Sequence, residues 1–153
     1  MRLDRADFLQ LVRTAPLVSV DLVVRDPAGR ALVGWRVNRP ARDAWFVPGG
    51  RVYKDERLDD AFRRITAAEL GRASERAAAS FLGVFEHLYD DNGLDAPGVG
   101  THYVVLAYGL RVDGDFRLPD AQHSAWRWMT SAELLAEPAV HPNTRAYFEA
   151  PRG

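Results

Sequence analysis

The feature that most constrains the fold is a strand, a glycine loop and a helix that follow one another within residues 45–71. Residues 45–50 (WFVPGG) form a short apolar run ending in a glycine pair, which predicts a strand that stops at a turn. Leu58 to Leu70 carries apolar side chains at helical spacing, and Gly71 follows as a stop signal. The sequence therefore predicts a glycine-led helix directly behind a strand.

The segments on both sides of this unit predict a sheet covered by helices. The predicted strands are residues 17–24, 31–37, 81–89, 102–112 and 126–129, and turn-forming residues join the first two and the next two into hairpins. The predicted outer helices are residues 4–14, a helix that starts at the Thr130–Glu133 capping box, and residues 142–148. Strands before and after one glycine-led helix, with helices outside, indicate an α/β or α+β sandwich.

The length and composition are those of one globular domain. The chain has 153 residues, 47% apolar and 27% charged, so we expect residues 1–153 to fold as a single domain. It lacks an apolar run of the roughly 18 residues that a membrane span requires. Its net charge of -1 gives no overall attraction to nucleic acid or to an anionic membrane. The first residues show no apolar stretch with a cleavage site, so a cytoplasmic location is expected.

The absence of cysteine narrows the possible metal chemistry. Without cysteine there are no disulfides, no thiolate nucleophile and no cysteine-ligated zinc. Histidine, carboxylate and backbone oxygen remain as ligands. This inventory suits a hard cation such as Mg²⁺.

Five positions of the glycine-led unit carry a recognisable motif. They are Gly50, Glu56, Arg64, Glu69 and Gly71, and their spacing resembles G-x5-E-x7-R-E-U-x-E-E-x-G-U, the box of the Nudix superfamily. The same residues could be turn glycines and a solvated glutamate, but five matches at fixed spacing between a strand and a helix end favour the motif.

Two departures from this box change the expected chemistry. Ile65 and Ala68 stand where the pattern has glutamates. Positions 65, 68 and 69 are three or four residues apart, so a complete box puts three carboxylates on one helix face and can collect several Mg²⁺. Here that face holds Glu69 alone. We therefore expect one metal and a general base supplied from elsewhere in the chain.

Segments outside the box resemble the GDP-mannose mannosyl hydrolase branch of the Nudix superfamily. They are residues 13–19 (RTAPLVS), 38–41 (NRPA), 45–52 (WFVPGGRV), 54–56 (KDE), 89–92 (YDDN), 101–106 (THYVVL), 122–123 (QH) and 143–148 (NTRAYF). The resemblance implies an α/β/α sandwich with a mixed sheet. It also implies a homodimer that hydrolyses GDP-mannose to GDP and mannose with inversion, using one Mg²⁺ or Mn²⁺ per site.

The resemblance assigns the metal ligands and the base. It implies that the backbone carbonyl of Gly49, Glu69 and Gln122 hold the metal, and that His123 is the base. Cleaving the sugar bond requires water on the side of the anomeric carbon opposite the diphosphate, so a base outside the helix suits attack at carbon. Histidine is apt for this role because its ordinary pKa lies near neutrality.

The remaining predicted site residues bind the substrate or brace the loop. Arginines aimed at the diphosphate stabilise the departing charge, and the candidates are Arg36, Arg51 and Arg64. Arg64 could also pair with Glu56 to brace the loop beside Gly50. By resemblance, Asp21 and His87 contact the sugar, while Tyr103 and Trp126 contact phosphate. Asp21 could instead be a paired hairpin residue, and His87 and Tyr103 could be ordinary packed strand residues. Trp126 stands at a tyrosine position of the family, and its indole donates but cannot accept.

Two other functions stay open at this point. One is pyrophosphohydrolysis of the same nucleotide sugar to GMP and a sugar 1-phosphate. The other is a binding module that has lost catalysis with its two carboxylates. GDP-glucose is also a possible substrate, because it differs from GDP-mannose at C2 alone.

Overall fold

A computed structural model describes residues 3–119 and 125–149. Gln122 and His123, the predicted metal ligand and base, lie outside these ranges. The helices are α1 (Arg5–Thr14), α2 (Leu58–Leu70), α3 (Ser131–Ala136) and α4 (Pro142–Arg145), with short 3-10 helices at Arg76–Ala78 and Ala146–Phe148. The strands are β1 (Leu17–Arg25), β2 (Ala31–Arg36), β3 (Ala44–Phe46), β4 (Gly49–Arg51), β5 (Ser80–Tyr89), β6 (Thr101–Arg111) and β7 (Trp126–Met129).

The seven strands form one mixed sheet with helices on both faces, as predicted. Its main path runs β3-β2-β1-β6-β5, with β4 added beside β1 and β7 beside β2. β1 and β6 are parallel, and the other pairs are antiparallel. Both predicted hairpins, β1–β2 and β5–β6, are confirmed.

Helix ends lie where their capping residues predict them. Asp4 accepts a hydrogen bond from the Asp7 amide at 2.8 Å and starts α1. Gly71 ends α2 in the left-handed region, at φ 73°, where glycine is favoured. The Thr130–Glu133 capping box starts α3. The segment 142–148, predicted as one helix, is α-helical only as far as Arg145 and then tightens into a 3-10 helix.

The prediction of a single strand over residues 45–50 is wrong, because this segment forms two short strands with different partners. β3 pairs with β2, whereas β4 pairs with β1. Pro48 lies between them; it has no N–H for a ladder, but its carbonyl accepts from Leu22 at 2.9 Å. β1 and β2 pair only at Arg25 and Ala31, so the two strands diverge and the β3–β4 segment crosses the gap between them.

Two apolar clusters hold the layers together, one on each face of the sheet. Alternate β1 residues Val20, Leu22 and Val24 face Phe62 and Ile65 of α2. On the other face, Val23 packs in a cluster with Trp45, Leu134 of α3 and Phe148. Trp45 is 9% exposed and is part of this core. None of the helices in the two described ranges has the length and apolar character needed to cross a bilayer.

Candidate active site

A pocket of about 360 Å³ opens where β1 and β2 diverge. It gathers nine of the predicted site residues, which come from six strands and α2: Asp21, Arg36, Gly49, Gly50, Arg51, Glu69, His87, Tyr103 and Trp126. Positions far apart in the sequence therefore share one concave surface, and this is the default location for ligand binding.

The glycine loop forms the floor of the pocket because side chains do not fit there. A Cβ on Gly49 would collide with the Asp21 carboxylate and would lie 2.6 Å from the carbonyl oxygen of Val20. A Cβ on Gly50 would lie 3.0 Å from Cγ1 of Ile65. Both glycines thus allow close approach of β4, to β1 on one side and to α2 on the other.

An ion pair between Glu56 and Arg64 ties the loop to α2. Arg64 donates to both Glu56 carboxylate oxygens, from Nε at 2.8 Å and from Nη2 at 2.9 Å. Its Nη2 also donates to the Arg51 carbonyl at 2.7 Å, and Glu56 accepts from the Tyr53 amide at 3.0 Å. The hydrogen bonds from Arg64 hold the pKa of Glu56 below its ordinary value. The residues from 51 to 56 are therefore fixed against the helix.

This arrangement favours one of the two roles predicted for Arg64. Its guanidinium is engaged with the loop and stacks 3.7 Å from the Tyr53 ring centroid. Arg64 is also absent from the pocket lining formed by the described residues. The bracing role fits this geometry, and contact with a diphosphate stays a prediction for Arg64.

Arg36 and Arg51 supply positive charge to the pocket wall. The Arg36 guanidinium lies 3.6 Å from the Phe46 ring centroid and donates to the Pro40 carbonyl at 3.0 Å. The Arg51 guanidinium lies 5.0 Å from the Tyr53 ring centroid. Aromatic faces restrain both groups while leaving the planar guanidinium edge suited to bidentate anion contacts. Phe46 is buried and also lines the pocket.

Trp126 enters the pocket because its strand partner is a glycine. β7 pairs with β2 so that Trp126 lies opposite Gly34. A Cβ on Gly34 would lie 2.9 Å from Cζ3 of the indole. The indole therefore rests directly on the β2 backbone, and Gly34 is a site residue that the sequence analysis missed.

Asp21 carries the most perturbed carboxyl group of the pocket. Burial raises its pKa to about 6, and the nearby negative charge of Glu69 adds to the rise. A hydrogen bond from Tyr147 and the positive charge of Arg36 oppose these effects. The carboxyl groups of Asp21, on β1, and Glu69, on α2, therefore interact electrostatically.

Tyr147 links two of the predicted sugar contacts and was also missed. Its hydroxyl donates to Oδ2 of Asp21 at 2.6 Å and lies 3.3 Å from Nε2 of His87. Burial, with help from His141 and Arg36, lowers the pKa of His87 to about 4, so this imidazole is neutral at pH 7. Asp21 and Tyr147 are 126 residues apart, and no local pattern in the sequence connects them.

The profile of the NUDIX domain matches residues 15–150, which is most of the chain. The chain belongs to the NUDIX family. A relative from Haloferax volcanii, the low-salt glycan biosynthesis protein Agl8, is 41% identical over 144 residues, covering 92% of this chain and 85% of the relative.

Two further NUDIX relatives differ in their named roles. An RNA pyrophosphohydrolase from Novosphingobium aromaticivorans is 32% identical over 130 residues, covering 78% of this chain and 79% of the relative. The crystal structure of a MutT NUDIX hydrolase from Burkholderia pseudomallei superposes with a TM-score of 0.68 at 28% identity, covering 87% of this chain and 95% of that one. The predicted fold class is confirmed by this match.

NUDIX hydrolases generally use a divalent cation such as Mg²⁺, and the pocket offers ligands that suit one. Glu69 and the Gly49 backbone both line it, and the Asp21 carboxylate packs against Gly49. Oxygen donors of this kind are the preferred ligands of Mg²⁺, and the carboxyl groups of Asp21 and Glu69 in one pocket create negative charge that a cation offsets. Among the described residues, no group of three or more His, Asp or Glu side chains is arranged to hold a metal ion, so a metal here also needs backbone or amide oxygens.

Proposed function

We propose that this NUDIX protein hydrolyses GDP-mannose, or the closely related GDP-glucose, to GDP and the free sugar. Water attacks the anomeric carbon with inversion, the bond from that carbon to the β-phosphate oxygen breaks, and GDP leaves with this oxygen. His123 accepts the proton from water. The alternative within the same family is pyrophosphohydrolysis to GMP and a sugar 1-phosphate.

The observation that carries the proposal is the environment of position 65. Ile65 is 1% exposed and contacts Gly50, the first glycine of the box, with its alkyl side chain. Ala68 supplies no carboxylate either. Helix α2 therefore offers Glu69 as its one acidic side chain at the three box positions, and a base for attack at phosphorus is missing from positions 65 and 68.

The charges on the pocket wall support a nucleoside diphosphate as the leaving group. Arg36 and Arg51 line the pocket, together with Tyr103. Burial raises the pKa of Tyr103, so its hydroxyl keeps its proton and can donate to a phosphate oxygen. These three donors stabilise charge that grows on the diphosphate as the sugar bond breaks.

A bound Mg²⁺, held by the Gly49 carbonyl, Glu69 and Gln122, would neutralise part of the diphosphate charge. The protein residues perform the remaining tasks. The Glu56–Arg64 pair keeps the glycine loop in place, and Asp21 and His87 offer hydrogen-bond acceptors to the sugar. The name of the Haloferax volcanii relative, a glycan biosynthesis protein, is consistent with a sugar substrate.

One observation favours the alternative reaction. The Novosphingobium aromaticivorans relative is named an RNA pyrophosphohydrolase, so attack at phosphorus occurs among proteins of comparable sequence. Product analysis separates the two reactions. GDP-mannose is incubated with the protein and Mg²⁺, nucleotides are separated by chromatography, and the sugar is followed by proton NMR before it mutarotates.

The proposal predicts GDP and the inverted anomer of mannose. GMP with mannose 1-phosphate would establish the alternative. Binding of GDP-mannose without any turnover would instead indicate a nucleotide-sugar binding module. GDP-glucose assayed in parallel gives the sugar preference.

We also propose that the protein is a homodimer. Val84 and Leu88 on edge strand β5 are 58% and 68% exposed, and such apolar positions suit contact with a second copy. Light scattering should then give twice the chain mass of 17.1 kDa. A mass equal to that of one chain would contradict the dimer.

A further inference from the structure

We propose that Tyr147 is a positioning residue that orients Asp21 and His87 so that both present hydrogen-bond acceptors to the sugar hydroxyls. The inference deepens the proposed function and rests on it for the identity of the ligand. The hydrogen-bond arrangement itself does not depend on turnover and can be tested separately.

Tyr147 is held firmly behind the pocket wall. Its ring makes an edge contact with Phe85, with centroids 4.7 Å apart and planes at 83°. The next residue, Phe148, is 9% exposed and packs in the core cluster beneath the sheet. Tyr147 does not itself line the pocket, whereas Asp21 and His87 do. Its effect on a ligand must therefore pass through these two side chains.

The direction of the hydrogen bonds follows from the chemistry of the three groups. A carboxylate only accepts, so the Tyr147 proton points to Oδ2 of Asp21, at 2.6 Å. The phenol oxygen then has lone pairs but no proton for His87, whose Nε2 lies 3.3 Å away. Nε2 must therefore be the protonated nitrogen of the neutral imidazole, and Nδ1 must be the acceptor.

This arrangement gives the pocket two chemically distinct sets of groups, called walls here for their hydrogen-bonding character, with Arg36 close enough to influence the pKa of both Asp21 and His87. Asp21 and His87 form an acceptor wall, which binds hydroxyl donors and disfavours phosphate oxygens. Arg36 and Arg51 form a donor wall, which binds phosphate. A nucleoside diphosphate sugar has acceptors at one end and hydroxyl donors at the other, so the two walls define its orientation.

The first test measures the tautomer of His87 by ¹⁵N–¹H NMR of histidine side chains at pH 8. The signal is assigned by its loss in His87→Gln. We expect the wild-type protein to show a proton on Nε2. A wild-type proton on Nδ1 would overturn the inference, even if no variant of Tyr147 can be produced.

The second test uses Tyr147→Phe, which removes the hydroxyl and keeps the ring. We expect His87 to shift towards a tautomer mixture and kcat/KM for GDP-mannose to fall about 10-fold to 100-fold, as for one lost hydrogen bond to a charged group. The inhibition constant of GDP should change less than about two-fold, because the donor wall is intact. An unchanged tautomer would refute the positioning role, as would an equal loss of GDP affinity.

Tyr108→Phe is the matched control. Its hydroxyl accepts from Arg76 at 3.3 Å, and its ring packs in the cluster on the α2 face. The same atom is removed outside the pocket, so the tautomer of His87 and the sugar kinetics should not change. If the wild-type protein does not turn over GDP-mannose, the proposed function fails, while the tautomer measurement still decides the role of Tyr147.

Discussion

Ile65 packs against Gly50 across the joint between α2 and the glycine loop, with Cγ1 3.0 Å from the position a Cβ would occupy on the glycine. This contact places alkyl carbon where the family motif has a carboxylate. The packing between α2 and the glycine loop is therefore apolar at this position. Glu69 supplies the negative charge of the helix at the box positions.

Glu69→Gln should remove most of the metal affinity and most of the activity. The amide keeps the size of the side chain but loses the negative charge that attracts Mg²⁺. We expect Mg²⁺ affinity, measured by calorimetry, to fall at least about 10-fold, with a parallel loss of turnover. The control is Glu75→Gln, a surface carboxylate paired with Arg63. Wild-type Mg²⁺ affinity in Glu69→Gln would exclude Glu69 as a ligand.

Arg64→Ala should lower the stability of the protein, whereas Arg51→Ala should weaken its binding of GDP. Arg64 braces the loop through a partly buried pair, so its loss should lower the free energy of unfolding by about 1–2 kcal/mol. Arg51→Ala should leave stability nearly unchanged and weaken GDP binding. The exposed Arg63 provides a stability control, and its alanine variant should stay within about 0.5 kcal/mol of wild type.

Urea unfolding and GDP titration measure the two effects. Arg64→Lys should not restore stability, because lysine cannot donate in the bidentate geometry of a guanidinium. If Arg64→Ala weakened GDP binding as much as Arg51→Ala while leaving stability intact, Arg64 would be a phosphate ligand and the bracing role would be wrong.

The perturbed pKa of Asp21 predicts a pH-dependent stability in the absence of metal. The folded state raises this pKa from 3.8 to about 6, so folding favours the protonated form. The stabilising effect is complete below about pH 4 and is lost as the pH rises through 6. As the pH rises from about 4 to above 6, the free energy of unfolding of Asp21→Asn should therefore increase by about 2–3 kcal/mol relative to that of the wild type.

Thermal or urea unfolding in the presence of a chelator, at pH 4, 5, 6 and 7.5, measures this difference. His87 contributes with the opposite sign, because its lowered pKa destabilises the fold as the pH falls from 6.5 towards 4. Because His87 is present in both proteins, its contribution cancels in the difference between Asp21→Asn and the wild type. A difference that did not vary with pH would show that the Asp21 carboxyl titrates normally.

His123→Ala should separate catalysis from metal binding. Loss of a general base typically slows turnover about 10²-fold to 10⁴-fold. Mg²⁺ affinity should be nearly unchanged, because the assigned ligands are Gly49, Glu69 and Gln122. The matched control is His102→Ala, since His102 lies on β6 and is absent from the pocket lining that the described residues form. An unimpaired His123→Ala rate would remove His123 from the mechanism.

Local signals in the sequence predicted most of the fold. Asp4, Gly71 and Thr130 mark helix ends by satisfying or relieving backbone groups within a few residues, so their effect can be read locally. The spacing from Gly50 to Gly71 likewise predicted the loop–helix unit and its Glu56–Arg64 pair. These features depend on neighbours that are close in the chain.

Features that depend on distant partners could not be predicted in the same way. The division of residues 45–50 into β3 and β4 depends on β1 and β2 diverging, which is a property of the sheet. The contact of Tyr147 with Asp21 joins opposite ends of the chain. In the sequence Gly34 is an ordinary residue of a predicted strand, because its role depends on Trp126, which lies opposite it on β7.

The central claim is that water attacks carbon, and the fate of isotopic oxygen tests it most directly. The protein is incubated with GDP-mannose and Mg²⁺ in ¹⁸O-water, and both products are analysed by mass spectrometry within the first few turnovers. A parallel incubation of unlabelled mannose corrects for exchange with solvent. We predict that the label appears in mannose and that GDP remains unlabelled. Label in a phosphate group of the nucleotide or of the sugar phosphate would contradict the account.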